Sequence, residues 1–347
     1  FVKIISNGVT MKKEINVLLL FLIIISNYSY AQIVKRAQAG FRFLENPISA
    51  EAVGRGATGV ATMQNSNAVF WNPAGISWMN SNVDVNFNYT KGIADINYFS
   101  TSLAFDAWGF GVISINGIMM DYGDFYGTRR ADNESGYIET GTFSPKALAL
   151  GLAFSQKVSS NFSYGVNVKY VYQDLGDVWV GSGTSLNDPS LQLLTKNYSL
   201  GDFAVDIGAL YDFNYHGIMF GASLQNVSRE LKYEDQKFPM PFAVSFGLTV
   251  DPISFLIPDL KDHSFKFIIE SRHPRDFKEK VKYGLEYKFM DLFTVRTGYM
   301  SNLDERGFTA GIGVNQNLFD TNLKVDYAYE NFGIFGAVHF FSIGVRY

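Results

Sequence analysis

The 347-residue sequence predicts an all-β fold: a transmembrane antiparallel β-barrel of about 14 strands with an N-terminal hatch in its lumen. Three observations carry this. Apolar and polar residues alternate with period two over many segments, which marks strands with one apolar and one polar face. The segments run to about ten residues, enough for a tilted strand to cross a bilayer. Tyr and Phe recur near their ends, where an aromatic girdle would sit. Beyond residue 31 no uninterrupted apolar run approaches 18 residues, so strands rather than helices must do the spanning.

Taken in order, the chain opens on residues that resemble a targeting segment. Met11, Lys12 and Lys13 precede an apolar run from Val17 to Ile25 and then Ser29-Tyr30-Ala31. This is a basic region, a short apolar core and a small-residue cleavage site. Residues 1–31 are therefore expected to be upstream residues and a signal peptide, with cleavage after Ala31.

Residues 32–82 are rich in Ala, Gly, Ser and Asn and contain no long alternating run, so they are read as the hatch. A 14-stranded barrel is too wide for its own side chains to fill. Gly54-Arg55-Gly56-Ala57-Thr58-Gly59 matches a dinucleotide fingerprint, but no strand precedes it and no long helix follows. Tight packing within the hatch is the expected role. Asn72-Pro73 is expected to start a turn that ends the hatch.

The barrel is expected over 83–347, in segments 83–90, 95–105, 109–118, 146–155, 162–173, 201–213, 217–226, 241–250, 263–270, 280–289, 291–300, 307–316, 321–330 and 338–347. In the first, Val83, Val85, Phe87 and Tyr89 alternate with Asp84, Asn86, Asn88 and Thr90. An even count returns the chain to the side it started from. Connections 119–145, 174–200, 227–240 and 271–279 should then be long outer loops, and 106–108, 156–161, 214–216, 290 and 317–320 short inner turns. The short 91–94 and the long 251–262 break the pattern. Alternation slips at Tyr98-Phe99 and Val112-Ile113. That slip fits either a β-bulge or apolar residues turned inward onto the hatch. The last segment alternates Phe341, Ile343, Val345 and Tyr347 with Ser342, Gly344 and Arg346, a terminal aromatic pattern expected to serve barrel assembly.

Composition narrows function. Net charge is −4, which argues against nucleic acid as a partner. Cysteine is absent, excluding disulfides and thiol chemistry. The four histidines are scattered and no hydrolase or metalloprotease motif occurs, so neither an enzyme nor a cofactor is expected. Asp121, Asp124, Asp132 and Glu134 lack calcium-loop spacing, and no metal site is expected. Lys169, Asp206, Lys282, Glu286, Arg296, Lys324 and Asp326 fall on the inward parity, where they should pair with one another or with the hatch. Outer-membrane lipid is the expected surrounding.

Phe70-Trp71-Asn72-Pro73-Ala74-Gly75-Ile76-Ser77, with Ala37–Leu44 and the small-residue stretch Ser49–Met63, resembles the PorV/PorQ family of outer-membrane proteins. The string is also similar to the wider FadL-type superfamily, whose hatch carries an NPA-type motif. The stretch from Tyr283 through Arg296-Thr297-Gly298-Tyr299 to Val325–Tyr329 resembles the same family's C-terminal half. The resemblance implies a hatch motif of Trp71, Asn72, Pro73 and Gly75 with a structural role. It also implies a part in type IX secretion, receiving secreted cargo domains and passing them to other secretion subunits. A kinked early strand that opens the wall sideways, as in FadL-like transporters, would instead imply transport of hydrophobic small molecules. In the secretion reading the two longest outer connections supply a docking surface, with Tyr122, Phe125, Tyr126, Arg129 and Arg130 on the first and Trp179 on the second, because aromatics and Arg dominate protein interfaces.

Overall fold

A computed structural model describes residues 39–181, 193–233, 235–257, 262–303 and 307–347. The signal peptide expected over 1–31 and the first hatch residues, 32–38, lie outside the described residues. Fourteen strands close into an antiparallel barrel. In chain order the strands are β1 (Val83–Lys91), β2 (Asn97–Asp106), β3 (Val112–Asp121), β4 (Phe125–Arg130), β5 (Tyr137–Phe143) and β6 (Lys146–Lys157). There follow β7 (Phe162–Gly181), β8 (Leu193–Asp212), β9 (Met219–Val227), β10 (Leu231–Tyr233), β11 (Gln236–Phe238) and β12 (Ala243–Val250). The last six are β13 (His263–Pro274), β14 (Lys280–Phe289), β15 (Phe293–Met300), β16 (Phe308–Leu318), β17 (Thr321–Asn331) and β18 (Ala337–Arg346). β4–β5 and β10–β11 are separate two-stranded sheets; the other fourteen strands form the barrel. The barrel shuts where β1 meets β18, in a register running from Asp84↔Arg346 to Lys91↔His339.

The burial pattern is that of a soluble protein turned inside out. Along β1, Phe87 is 57% exposed while Asp84, Asn86 and Asn88 are buried. The same holds around the wall, where Ile115, Leu152, Phe203, Val295 and Ile312 all face outward. An apolar band this continuous is stable only against lipid. No helix among the described residues is long and apolar enough to cross a membrane.

Inside, residues 39–82 fold into short pieces: 3-10 turns Arg42–Glu45, Ser66–Phe70 and Pro73–Trp78, and one helical turn, Ala50–Gly54. Two apolar clusters tie them to the wall. Ile48, Val60, Met63, Val69, Trp71 and Ile76 pack on Ala104, Val112 and Ala153. Nearer the outer end, Phe41 and Phe43 pack on Met120, Ala147, Ala149, Val171 and Ala204.

The structure settles one alternative, corrects one expectation and adds one element. The slips at Tyr98-Phe99 and Val112-Ile113 are not bulges, because β1–β2, β2–β3 and β3–β6 pair without a register shift. Tyr98 and Val112 turn inward and pack on the two hatch clusters, which is why apolar residues occupy a polar parity there. Shifts in the wall fall instead between Asp174 and Asp177 and between Val205 and Ile207. Next, the outer connections are not irregular loops. Residues 119–145 contain the β4–β5 hairpin, and 174–200 are largely taken up by β7 and β8, each 20 residues long. Finally, the inner connection 251–262 carries a short helix, Pro252–Leu256, capped by the Asp251 carboxylate accepting from the Ile253 and Ser254 amides.

Candidate functional site

The hatch lies directly against bare backbone. At Gly298 an added Cβ would lie 2.0 Å from the Gly56 nitrogen, and at Gly208 1.9 Å from Asn72 Oδ1. Gly165 meets the Pro73 carbonyl carbon and Gly221 the Val60 oxygen at 2.4 and 2.2 Å by the same measure. These four inward glycines are thus part of the hatch's footprint, since only a missing Cβ lets the hatch approach the wall this closely. The glycine-rich 54–59 segment supplies the other half of these contacts, with Gly56 at φ +74° and its amide donating to Thr309 Oγ1 at 2.9 Å.

Buried ions then fix the seat. Arg55, 1% exposed, donates to Glu286 at 2.6 Å. Glu286 also accepts from Arg296 at 2.7 Å, and Arg296 donates to Asp326 at 2.6 Å. Lys324 closes the ring onto the hatch through Glu51 at 2.7 Å. Burial alone would raise the Glu51 carboxyl, but Lys324, Arg55 and Arg296 outweigh it and hold the group well below the usual carboxylate range. On the neighbouring wall Lys282 donates to Glu270 at 2.7 Å and to the Ala57 carbonyl at 2.8 Å. The other Glu270 oxygen accepts the Gly59 and Val60 amides at 2.8 and 3.0 Å. Lys169 and Asp206 pair at 2.8 Å on β7 and β8. The inward charges of the sequence therefore pair with one another and, through Glu51 and Arg55, with the hatch. Glu51 and Glu270 escaped sequence reasoning, although Glu270 shares the inward parity of Ile268 and Arg272.

The 70–77 string is the second anchor. Asn72 Oδ1 accepts from the Ala74 amide at 3.1 Å, opening the turn. Its Nδ2 donates to the Val60 carbonyl in the hatch and the Ala209 carbonyl in the wall, at 2.8 and 2.9 Å. The Ala74 carbonyl accepts from Ser155 and Ser163 at 3.1 and 3.0 Å, while Pro73 occupies the first position of the turn. Gly75 lies against the Met63 carbonyl, and the Trp71 indole lies directly on Gly59. Trp71, Asn72, Pro73 and Gly75 are all buried.

Between hatch and wall lies a cavity of about 80 Å³. It runs from Leu303, in the outer connection after β15, past Met300 and Ile118 to a floor of Phe70 and Trp71. Arg272, Lys280 and Gln225 line its polar side, with the Arg272 guanidinium donating to the Gln225 side-chain amide oxygen, Oε1. Trp71, with Phe70 packed against it, belongs to the first apolar cluster, which joins the hatch to Ala104, Val112 and Ala153 of the wall.

The residues expected to form an outer docking surface are divided. Tyr122 is half-buried and packs on the Phe41/Phe43 cluster, so it belongs to the inside. Burial accordingly raises its phenol above the usual value. Phe125 stacks on Phe143 at 5.7 Å, whereas Tyr126 is 83% exposed on the same hairpin. Arg130 is exposed and Arg129 half-buried. Trp179 lies on β7 opposite Thr195, and its side chain lies outside the described residues.

No protein-family model matches the chain, and no curated protein does. Solved structures do. The toluene transporter TodX of Pseudomonas putida aligns with a TM-score of 0.56 and 12% identity over 86% of this chain and 96% of its own. The toluene transporter TbuX of Ralstonia pickettii gives 0.55 and 12% over the same shares. The CymD monoaromatic hydrocarbon channel gives 0.52 and 10%, again over 86% and 96%. This chain therefore shares the barrel fold of these proteins.

Proposed function

We propose that the barrel admits small hydrophobic molecules across the outer membrane, capturing them in the cavity above Phe70 and Trp71. One observation carries this reading: the cavity lies between hatch and wall, with Leu303 of an outer connection at one end and the Phe70 and Trp71 rings of the hatch at the other. The shared fold with toluene transporters supports it by analogy. An engineered apolar cavity of about 150 Å³ admits benzene. A cavity of about 80 Å³ is smaller than that, so it takes toluene only as the hatch shifts to enlarge it. Because β1, β2, β3 and β6 pair without interruption, passage needs the hatch to move rather than a standing hole in that wall. Toluene titrated calorimetrically into the detergent-folded protein should bind saturably, and Leu303→Trp, which plugs the cavity mouth, should weaken binding about tenfold through steric overlap. Absence of saturable heat in the wild type would sink the proposal.

A second reading rests on the outer hairpins. Tyr126 and Arg130 stand exposed on a β4–β5 sheet beyond the barrel. In a PorV/PorQ-like role this sheet would receive secreted cargo domains or another secretion subunit. Replacing 124–144 by a four-residue turn should leave the barrel assembled and remove such a partner from detergent pull-downs. Undiminished capture by the shortened protein would exclude the role.

A further inference from the structure

The outward face of β18, β1, β2, β3 and β6 is not evenly covered. The row Ile343–Phe87–Thr101–Gly117–Leu150 runs across it by register. Two of its inner members, Thr101 and Gly117, are small, while Phe87, Leu150 and Ile343 are 57%, 54% and 48% exposed. The result is a groove of about 430 Å³ with an almost wholly apolar lining. A Cβ at Gly117 would meet Leu150 Cδ2 at 3.3 Å and nothing else closer than 3.8 Å, so the space over it is open.

A lysine and a histidine stand side by side at the outer end of the same strands. Lys91 ends β1 directly opposite His339 of β18. Lys91 is exposed and forms no ion pair with a described residue. His339 Nδ1 is joined to the Tyr327 hydroxyl at 2.8 Å, and its ring packs on Tyr327 and Tyr329. Farther along the rim come Asn97, Asp121 and Lys146, so the nearest carboxylate in that row already faces a lysine. From Lys91 to Phe87 is four residues, about 13 Å along a strand. That is a headgroup-to-chain distance, and the aromatics between them, Tyr89 and Phe341, belong to the interfacial belt.

We propose that this face binds one phosphorylated glycolipid of the outer leaflet, an acyl chain lying over Gly117 and a phosphate held by Lys91 and His339. Charge and position select this occupant. The groove lies on the lipid-facing wall, Lys91 and His339 lie at its outer end, and basic groups at a membrane surface attract anionic headgroups. The site does not depend on transport, so it stands or falls separately from the proposed function.

The test is native mass spectrometry of the full detergent-folded barrel with bis-phosphorylated lipid A, dephosphorylated lipid A and phosphatidylglycerol. The wild type should retain one lipid A. Lys91→Ala with His339→Ala should weaken retention about tenfold. Gly117→Leu, which fills the groove from the outside, should do the same with Lys91 and His339 intact. Lys237→Ala, on the β10–β11 hairpin, should change nothing, and heat-modified gel migration will show that each variant is folded. Equal retention of the dephosphorylated lipid, or wild-type retention by both site variants, would overturn the proposal. Tighter binding of phosphatidylglycerol through the same residues would overturn the outer-leaflet assignment. A dimer abolished by Gly117→Leu would assign the face to a second copy of the chain and overturn it outright.

Discussion

Gly298→Ala is expected to unseat the hatch without dismantling the barrel. The new methyl would sit 2.0 Å from the Gly56 nitrogen, 2.4 Å from the Arg55 carbonyl carbon and 2.5 Å from Gly56 Cα. All three are backbone atoms, so no side-chain rotation relieves the clash, and overpacking of this kind costs about 1–3 kcal/mol or more. Two outcomes are conceivable: the wall bends or the hatch lifts. β15 is hydrogen-bonded along its length to β14 and β16, whereas the 54–59 segment is tied to the wall by side-chain bonds that can lengthen, so the hatch yields. In planar bilayers single-channel conductance should rise from a near-closed wild-type level, while gels still show the heat-modified shift of a closed barrel. Asn72→Ala should act in the same direction from the opposite wall, because it removes donors to Val60 and Ala209 together. Unchanged conductance in both variants would mean that these contacts do not hold the plug.

Arg296→Met should be the most destabilising single change in the wall. Its guanidinium, with the residue 3% exposed, lies between Glu286 and Asp326. Removing one partner of a buried ion pair costs about 3–5 kcal/mol, because the remaining charges lose compensation they cannot recover from water. The urea midpoint of the folded protein should fall accordingly, and added salt should barely alter the difference, since buried charges are poorly screened. Arg296→Lys should recover only part of the loss, because an ammonium cannot span two carboxylates as a planar fork does. A midpoint shift equivalent to less than about 1 kcal/mol would put the pair in the class of exposed bridges and contradict the burial.

Much of this architecture is legible in the sequence. Lipid on one side and hatch on the other force strict alternation, so Phe87 and Asn88 declare their faces by parity alone. Glycine among the inward residues, at Gly284 and Gly298, is a further sign that something packs there. Alternation misleads where the hatch is itself apolar, as at Tyr98 and Val112. Strand ends beyond the bilayer are illegible for a different reason. β7 and β8 continue past the rim, where neither face has lipid to select its residues. The seat of Arg55 on Glu286 joins positions 231 residues apart, and no local pattern reports such a pair. Loop composition does not tell an inward aromatic from an outward one, and Tyr122 packs on the inner cluster.

If the barrel is a channel for small hydrophobic molecules, they enter through the cavity above Trp71 and pass once the hatch moves. The most direct test is the initial rate of radiolabelled toluene uptake by a Gram-negative host that lacks such channels and carries this barrel in its outer membrane. Uptake should be faster than in the empty host, return to background with Leu303→Trp, and increase further with Gly298→Ala. Uptake equal to the empty host, with the barrel assembled and heat-modifiable, would contradict transport by this route.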